Sequence, residues 1–206
     1  MNKVIGILGG TFDPPHWGHI RLAEHFSRTL QLDELFWLPS GEPWQKGAHI
    51  TPAKDRLDMT IAAADVLKEE LQAKNIDTKV MVDSMEIDRG GPSYTADTLM
   101  ALAEKHPGAE LFTIVGDDAA AGLTSWTRVD QVAQYSQLVV VDRPGVAVEL
   151  PTQFNWLRVE SPRLEVSSTD LRSRFSDGRP LDYLVTEPVL RVIEERGLYG
   201  SAARMN

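Results

Sequence analysis

Two histidines, His16 and His19, stand three residues apart in GGTFDPPHWGH, Gly9 to His19, in a chain that holds five histidines in all. At a helix start that spacing puts both rings on one face. Imidazoles placed there can donate hydrogen bonds to phosphate oxygens, or to charge that develops on them. The glycine pair just before them lets the backbone approach a ligand with no Cβ in the way. A helix following such a turn offers unpaired N–H groups and the positive end of its dipole, which together favour an anion. A capped turn with surface histidines is the plainer alternative.

The elements around this stretch set where it can lie. KVIGIL, Lys3 to Leu8, is apolar without alternation, as in a strand covered on both faces. From Trp17 to Leu30 the apolar residues Leu22, Ala23, Phe26 and Leu30 recur at helical spacing. ELFWLPS, ELFTIVG, QLVVVDRPG and WLRVE read as further strands, and TKVMVDSMEI as another. Residues 54–72 predict a long helix with Leu57, Ile61, Ala64, Leu67 and Leu71 on one stripe. Thr95 to Lys105 predicts a helix after the turn RGGPS, and STDLRSRF and EPVLRVIEERG predict two more. The last has Pro188 near its start and Gly197 just past its end, where those residues are favoured. Strands alternating with amphipathic helices predict an α/β fold: an open, mostly parallel sheet flanked by helices, with a C-terminal helical segment from about residue 167. One domain over residues 1–206 is expected. In such sheets ligands bind outside the carboxyl ends of the strands, and here the polar, glycine-rich segments follow strand ends.

Composition narrows the function classes. Apolar residues make up 42% and charged residues 25%, as in an ordinary soluble globular protein. With no cysteine there is no disulfide, thiolate metal site or cysteine nucleophile. No run reaches the length of a membrane span, and MNKVIGILGG lacks signal-peptide character, so a cytoplasmic protein without a membrane partner is expected. The net charge of -9 argues against extended nucleic-acid binding, yet a local cluster of donors can still hold a small anion. Neither the P-loop pattern nor Gly-x-Gly-x-x-Gly follows the first strand. The neighbours Asp117 and Asp118 could suggest a metal site, but adjacent residues point apart. His25 and His106 are expected to face solvent.

GGTFDPPHWGH resembles the first motif of the nucleotidyltransferase superfamily related to class I aminoacyl-tRNA synthetases, and VSSTDLR, Val166 to Arg172, resembles its second. GPSYTADTL, VGDD with SWTRVDQV, VVVDRPG and VLRVIEERGLY are similar to segments of the bacterial nicotinate-nucleotide adenylyltransferase family, so the resemblance spans almost the whole chain. It implies a Rossmann-like fold and adenylyl transfer from ATP to nicotinate mononucleotide, a step of NAD biosynthesis. It also implies roles. Gly9, Gly10, Thr11 and Phe12 would line the phosphate and adenosine cleft, and His16, His19 and Lys46 would contact ATP phosphates. Ser167, Ser168 and Thr169 would grip the departing pyrophosphate, with Arg172 adding charge. The same serines and threonine also read as an ordinary N-cap. Asp118, after Gly116, would take the ribose hydroxyls. Trp126 would stack on the pyridine ring, with a buried structural tryptophan as the other reading. Tyr94 and Thr95 would lie around the nicotinate carboxylate, and Arg143 would hold the mononucleotide phosphate. Mg²⁺ is expected as a companion of the ATP phosphates, with no metal site of the protein's own. The chain departs from the pattern after the second strand: Ser40 stands where asparagine is common, and Gln45 where histidine is usual. Glutamine can hydrogen-bond a phosphate but cannot become cationic. Alternatives are a nicotinamide mononucleotide or other phosphorylated acceptor, or a nucleotide sensor without catalysis. Homo-oligomerisation is left open.

Overall fold

The computed structural model describes residues 2–43, 50–142, 149–161 and 164–204, with the backbone alone at 117, 118, 142 and 202–204. Among the described residues six strands form one sheet: β1 Val4–Gly10, β2 Glu34–Pro39, β3 Lys79–Val82, β4 Glu110–Val115, β5 Gln137–Asp142 and β6 Trp156–Glu160. Their order is β3-β2-β1-β4-β5-β6, and each neighbouring pair is parallel. The connections reverse direction between β1 and β4, so a crevice opens beyond the carboxyl ends of these two strands. The apolar runs lack alternation because both faces are covered. Ile5 and Ile7 of β1 join one buried cluster with Leu38, Leu99 and Leu102, while Leu8 joins another with Ile20, Phe26, Met59 and Leu67.

The helices are α1 Trp17–Thr29, α2 Ala53–Ala73, α3 Met85–Arg89, α4 Thr95–Lys105, α5 Asp117–Ala121, α6 Val129–Tyr135, α7 Ser168–Asp177 and α8 Glu187–Glu195. Helix α2 packs against both α1 and α8. Leu171 and Phe175 of α7 and Val189 and Ile193 of α8 belong to the same apolar cluster as α1 and α2. The C-terminal helices thus extend the core instead of sitting beside it. Helix α7 is capped at its start by Ser167, whose Oγ accepts the Asp170 N–H at 3.2 Å, and after its end by Gly178 with φ 78°.

Three expectations change. TKVMVDSMEI splits after Val82. Asp83 Oδ1 accepts the Met85 N–H at 2.9 Å, and Ser84 Oγ donates to Asp88 Oδ2 at 2.6 Å, so the chain turns into α3. The apolar stripe of α2 is rotated in its first half. Arg56, Met59 and Ala63 face inward there, and Ile61 is 42% exposed. His25 and His106 are half-buried, with the His106 ring edge-on to Phe36 and His25 Nε2 shut away from solvent.

Candidate active site

A cavity of about 570 Å³ opens at the carboxyl ends of β1 and β4, within the usual range for a small-molecule site. Its wall draws on both sequence motifs. Gly9, Gly10, Thr11, His16 and His19 line it from the first, and Val166, Ser167, Ser168 and Thr169 from the second. Ser40, Tyr94, Thr95, Gly116 and Trp126 complete the predicted residues on the wall.

The two glycines do different things. A Cβ on Gly9 would meet nothing within 4 Å, so that backbone stands open to the cavity. A Cβ on Gly10 would meet the Phe12 ring at 2.9 Å. Phe12 itself is placed behind the wall, not on it. Its φ of 49° turns the ring inward, where it is 2% exposed, parallel to Trp37 at 5.5 Å and edge-on to His19 at 5.1 Å. The expectation that Phe12 lines the cleft is corrected accordingly: it backs His19.

His16 precedes α1 and His19 lies in its first turn. Their rings stack with centroids 3.8 Å apart. The His16 N–H donates to His19 Nδ1 at 3.2 Å. That bond assigns the neutral His19 tautomer, with the proton on Nε2. His16 is 7% exposed, and burial pushes its imidazole down to about 4, so it is neutral at physiological pH. The close pairing depends on Gly18. A Cβ there would meet His16 Cε1 and Nδ1 at 2.9 Å and Val166 Cγ1 at 3.0 Å.

The second motif grips the first. Ser168 Oγ donates to the Pro14 carbonyl at 2.9 Å, and Arg172 Nη1 donates to the Asp13 carbonyl at 2.7 Å. Arg172, expected to add charge at the pyrophosphate, is not among the lining residues; its guanidinium braces the turn through the Asp13 carbonyl. Ser167 caps α7 and also lines the cavity, so the capping and anion-facing readings are compatible at one residue.

At the other end of the cavity Tyr94 stands just before α4 and Thr95 begins it. Trp126 is half-buried and packs between two apolar clusters while facing the cavity, so both readings of it have a physical basis. Ser40 Oγ is buried there with no hydrogen-bond partner among the described residues. The side chain of Asp118 lies outside the described residues, although its backbone is in the first turn of α5. Gln45, Lys46 and Arg143 lie outside the described residues.

Sequence reasoning missed Glu86, Ser93 and Thr98, which also line this end. Thr98 Oγ1 donates to Glu86 Oε1 at 2.8 Å, and Ser93 Oγ accepts the Gly41 N–H at 2.8 Å. Burial pushes the Glu86 carboxyl up, against hydroxyl contacts from Thr98 and Ser93 that pull it down. Glu86 sits in the segment read as a strand, which hid its direction. Ser93 and Thr98 flank the quoted Tyr94–Thr95 pair and were within reach of helical spacing from it.

Among the described residues no group of three or more His, Asp or Glu could hold a metal ion. The wall built by both motifs offers hydroxyl and imidazole groups, which suit phosphate oxygens. A divalent ion fits this site as a companion of a polyphosphate, which would supply most of its ligands.

The cytidylyltransferase-like family model matches residues 7–174. A protein of Leifsonia xyli subsp. xyli named "Probable nicotinate-nucleotide adenylyltransferase" is 43% identical, over 97% of this chain and 95% of its own length. A protein of the same name from Halalkalibacterium halodurans is 38% identical, over 96% of this chain and 91% of its own. Among solved structures, Plasmodium falciparum nicotinic acid mononucleotide adenylyltransferase complexed with NaAD superposes with a TM-score of 0.78, covering 97% of this chain and 98% of that one. At 18% identity that likeness speaks for the fold. Family model and full-length relatives agree, and the chain belongs to the cytidylyltransferase-like family and, within it, to the nicotinate-nucleotide adenylyltransferases.

Proposed function

We propose that the chain transfers the adenylyl group of ATP to nicotinate mononucleotide, giving nicotinate adenine dinucleotide and pyrophosphate, a step of NAD biosynthesis. The observation that carries this is one cavity with both motifs on its wall and the Tyr94–Thr95–Trp126 group at another part of it. A 5′-phosphate oxygen of the mononucleotide attacks the α-phosphorus, the bond from that phosphorus to the bridging oxygen breaks, and pyrophosphate leaves with the electron pair. A phosphate monoester is already nucleophilic near neutral pH, so positioning and charge stabilisation supply the rate.

His19 donates Nε2–H toward the triphosphate as charge builds on it. His16 stays neutral beneath it, since two protonated rings at 3.8 Å would repel. Ser167 and Thr169 hold the departing pyrophosphate, Asp118 takes the ribose hydroxyls, and Trp126 stacks on the pyridine ring. Lys46 and Arg143 are the further cations of this reading, and Gln45 a neutral phosphate contact. Mg²⁺, held chiefly by the ATP phosphates themselves, would offset part of the triphosphate charge. A cytoplasmic location, where ATP is abundant, belongs to the same reading. Among the described residues no helix is long and apolar enough to cross a membrane.

The test is pyrophosphate release from Mg·ATP with each acceptor in turn. Nicotinate mononucleotide should give the highest kcat/KM. Equal or better turnover with nicotinamide mononucleotide or phosphopantetheine would overturn the acceptor assignment, and ATP binding without any turnover would make the protein a sensor.

A further inference from the structure

The stretch VLRVIEERGLY ends in Tyr199, which the reaction as described leaves without a task. Tyr199 lies 186 residues from Asp13, yet its hydroxyl donates to Asp13 Oδ1. The Thr51 N–H donates to Oδ2 of the same carboxylate at 3.3 Å. Asp13 is 3% exposed, and the guanidinium of Arg56, itself 1% exposed, faces both Asp13 and Tyr199. The Tyr199 ring rests on Phe175 at 5.5 Å. Burial and the Asp13 carboxylate together push the phenol up, so it keeps its proton and stays the donor.

The turn that carries Asp13 has no regular secondary structure between the end of β1 and the start of α1. Contacts with other parts of the fold therefore set its position. Arg172 and Ser168 take the backbone carbonyls of Asp13 and Pro14, and Tyr199 and Thr51 take the carboxylate. His16 follows two residues after Pro14, and its N–H orients His19. We propose that Tyr199 is a positioning residue for adenylyl transfer: by holding the Asp13 carboxylate it fixes the turn that aims the His16–His19 pair. The kinetic side rests on the proposed reaction; the geometric side does not. Without the hydroxyl, Asp13 Oδ1 loses its donor inside the fold, and the turn shifts to find another. The histidine pair shifts with it.

The experiment is a double-mutant cycle on kcat with Tyr199→Phe and Asp13→Asn, beside imidazole NMR of the intact protein. Phenylalanine keeps the packing on Phe175, so Tyr199→Phe should melt within a few degrees of wild type. Its kcat should fall about 10-fold with KM for ATP within about threefold, because positioning is lost while binding groups remain. In the Asp13→Asn background Tyr199→Phe should cost little more, since the charged acceptor of its hydroxyl is already gone. The His16 and His19 ring resonances should move in Tyr199→Phe while His106 does not. A kcat within twofold of wild type, or two losses that simply multiply, would overturn the proposal. If wild type releases no pyrophosphate with any acceptor, the proposed function fails and the resonances alone decide. Unmoved His16 and His19 then refute the positioning role, and shifted ones uphold it. The same readout decides if Asp13→Asn does not fold.

Discussion

His19 combines a fixed tautomer with a place on the cavity wall, and this gives its removal a definite expected effect. A preorganised donor to developing charge contributes roughly 2.7–4 kcal/mol, so His19→Ala should lower kcat by about 100-fold or more while the melting temperature holds. Steady-state pyrophosphate release and thermal unfolding check both halves, and near-normal turnover would remove His19 from the chemistry. His16 has a different signature. Its folded-state value of about 4 lies below the unfolded 6.5, so the unfolded chain binds the extra proton between those values. Stability is therefore complete above about pH 6.5 and drains away as pH falls toward 4, by roughly 3 kcal/mol from this residue. Urea unfolding of wild type and His16→Gln should show curves that converge on acidification, whereas parallel curves would deny His16 its buried, neutral state. The types and spacing of these histidines were readable in the sequence because they follow a strand-ending glycine pair. The inward turn of Phe12 was not, because it depends on a positive φ that no residue pattern announces.

The start of α1 is where element geometry and site geometry conflict. Alanine is a better helix former than glycine by about 1 kcal/mol, so propensity alone favours Gly18→Ala. The added methyl would stand 2.9 Å from the His16 ring, closer than real contacts allow, and a tight 3.0 Å from Val166. The ring must move, and it is the partner of His19. We expect kcat to fall at least about 10-fold with little change in melting temperature; a faster or equal enzyme would mean that the ring pair tolerates displacement. At this scale the sequence was informative where apolar period and caps agree, as in α4, whose bounds Thr95 and Lys105 match the expected helix. It was less informative at α3, where side chains at 83 and 84 redirect a strand-like run, and at α5 and α6, which are too short to display a period. The expected α2 stripe slipped because a buried arginine occupies core-facing space that sequence patterning reserves for apolar residues.

For the molecule as a whole, a parallel sheet with its site beyond the strand ends was legible, since buried strands and intervening helices leave few other arrangements. The strand order and the ties between distant segments were not, because contacts such as Tyr199 to Asp13 leave no local trace. Arg56 is the strongest of these ties. Its Nε donates to the Thr51 carbonyl at 2.9 Å, Nη1 to Thr11 at 3.0 Å and Nη2 to Gly41 at 2.8 Å. One planar fork thus joins the segment after β1, the segment after β2 and the approach to α2. Arg56→Met would leave three carbonyls without that donor and remove the guanidinium that faces the Asp13 carboxylate. Removing one side of a buried charged network costs about 3–5 kcal/mol. In a chain of this length each kcal/mol shifts the midpoint by about 2–4 °C, so the variant should melt roughly 6–20 °C lower. Arg56→Lys restores the charge near Asp13, but an ammonium cannot span three carbonyls as the guanidinium does, so it should recover only part of the loss. Thermal unfolding of the three proteins in one buffer gives the answer. If Arg56→Met melts within 2 °C of wild type, or Arg56→Lys matches it fully, the fork is not what unites these segments.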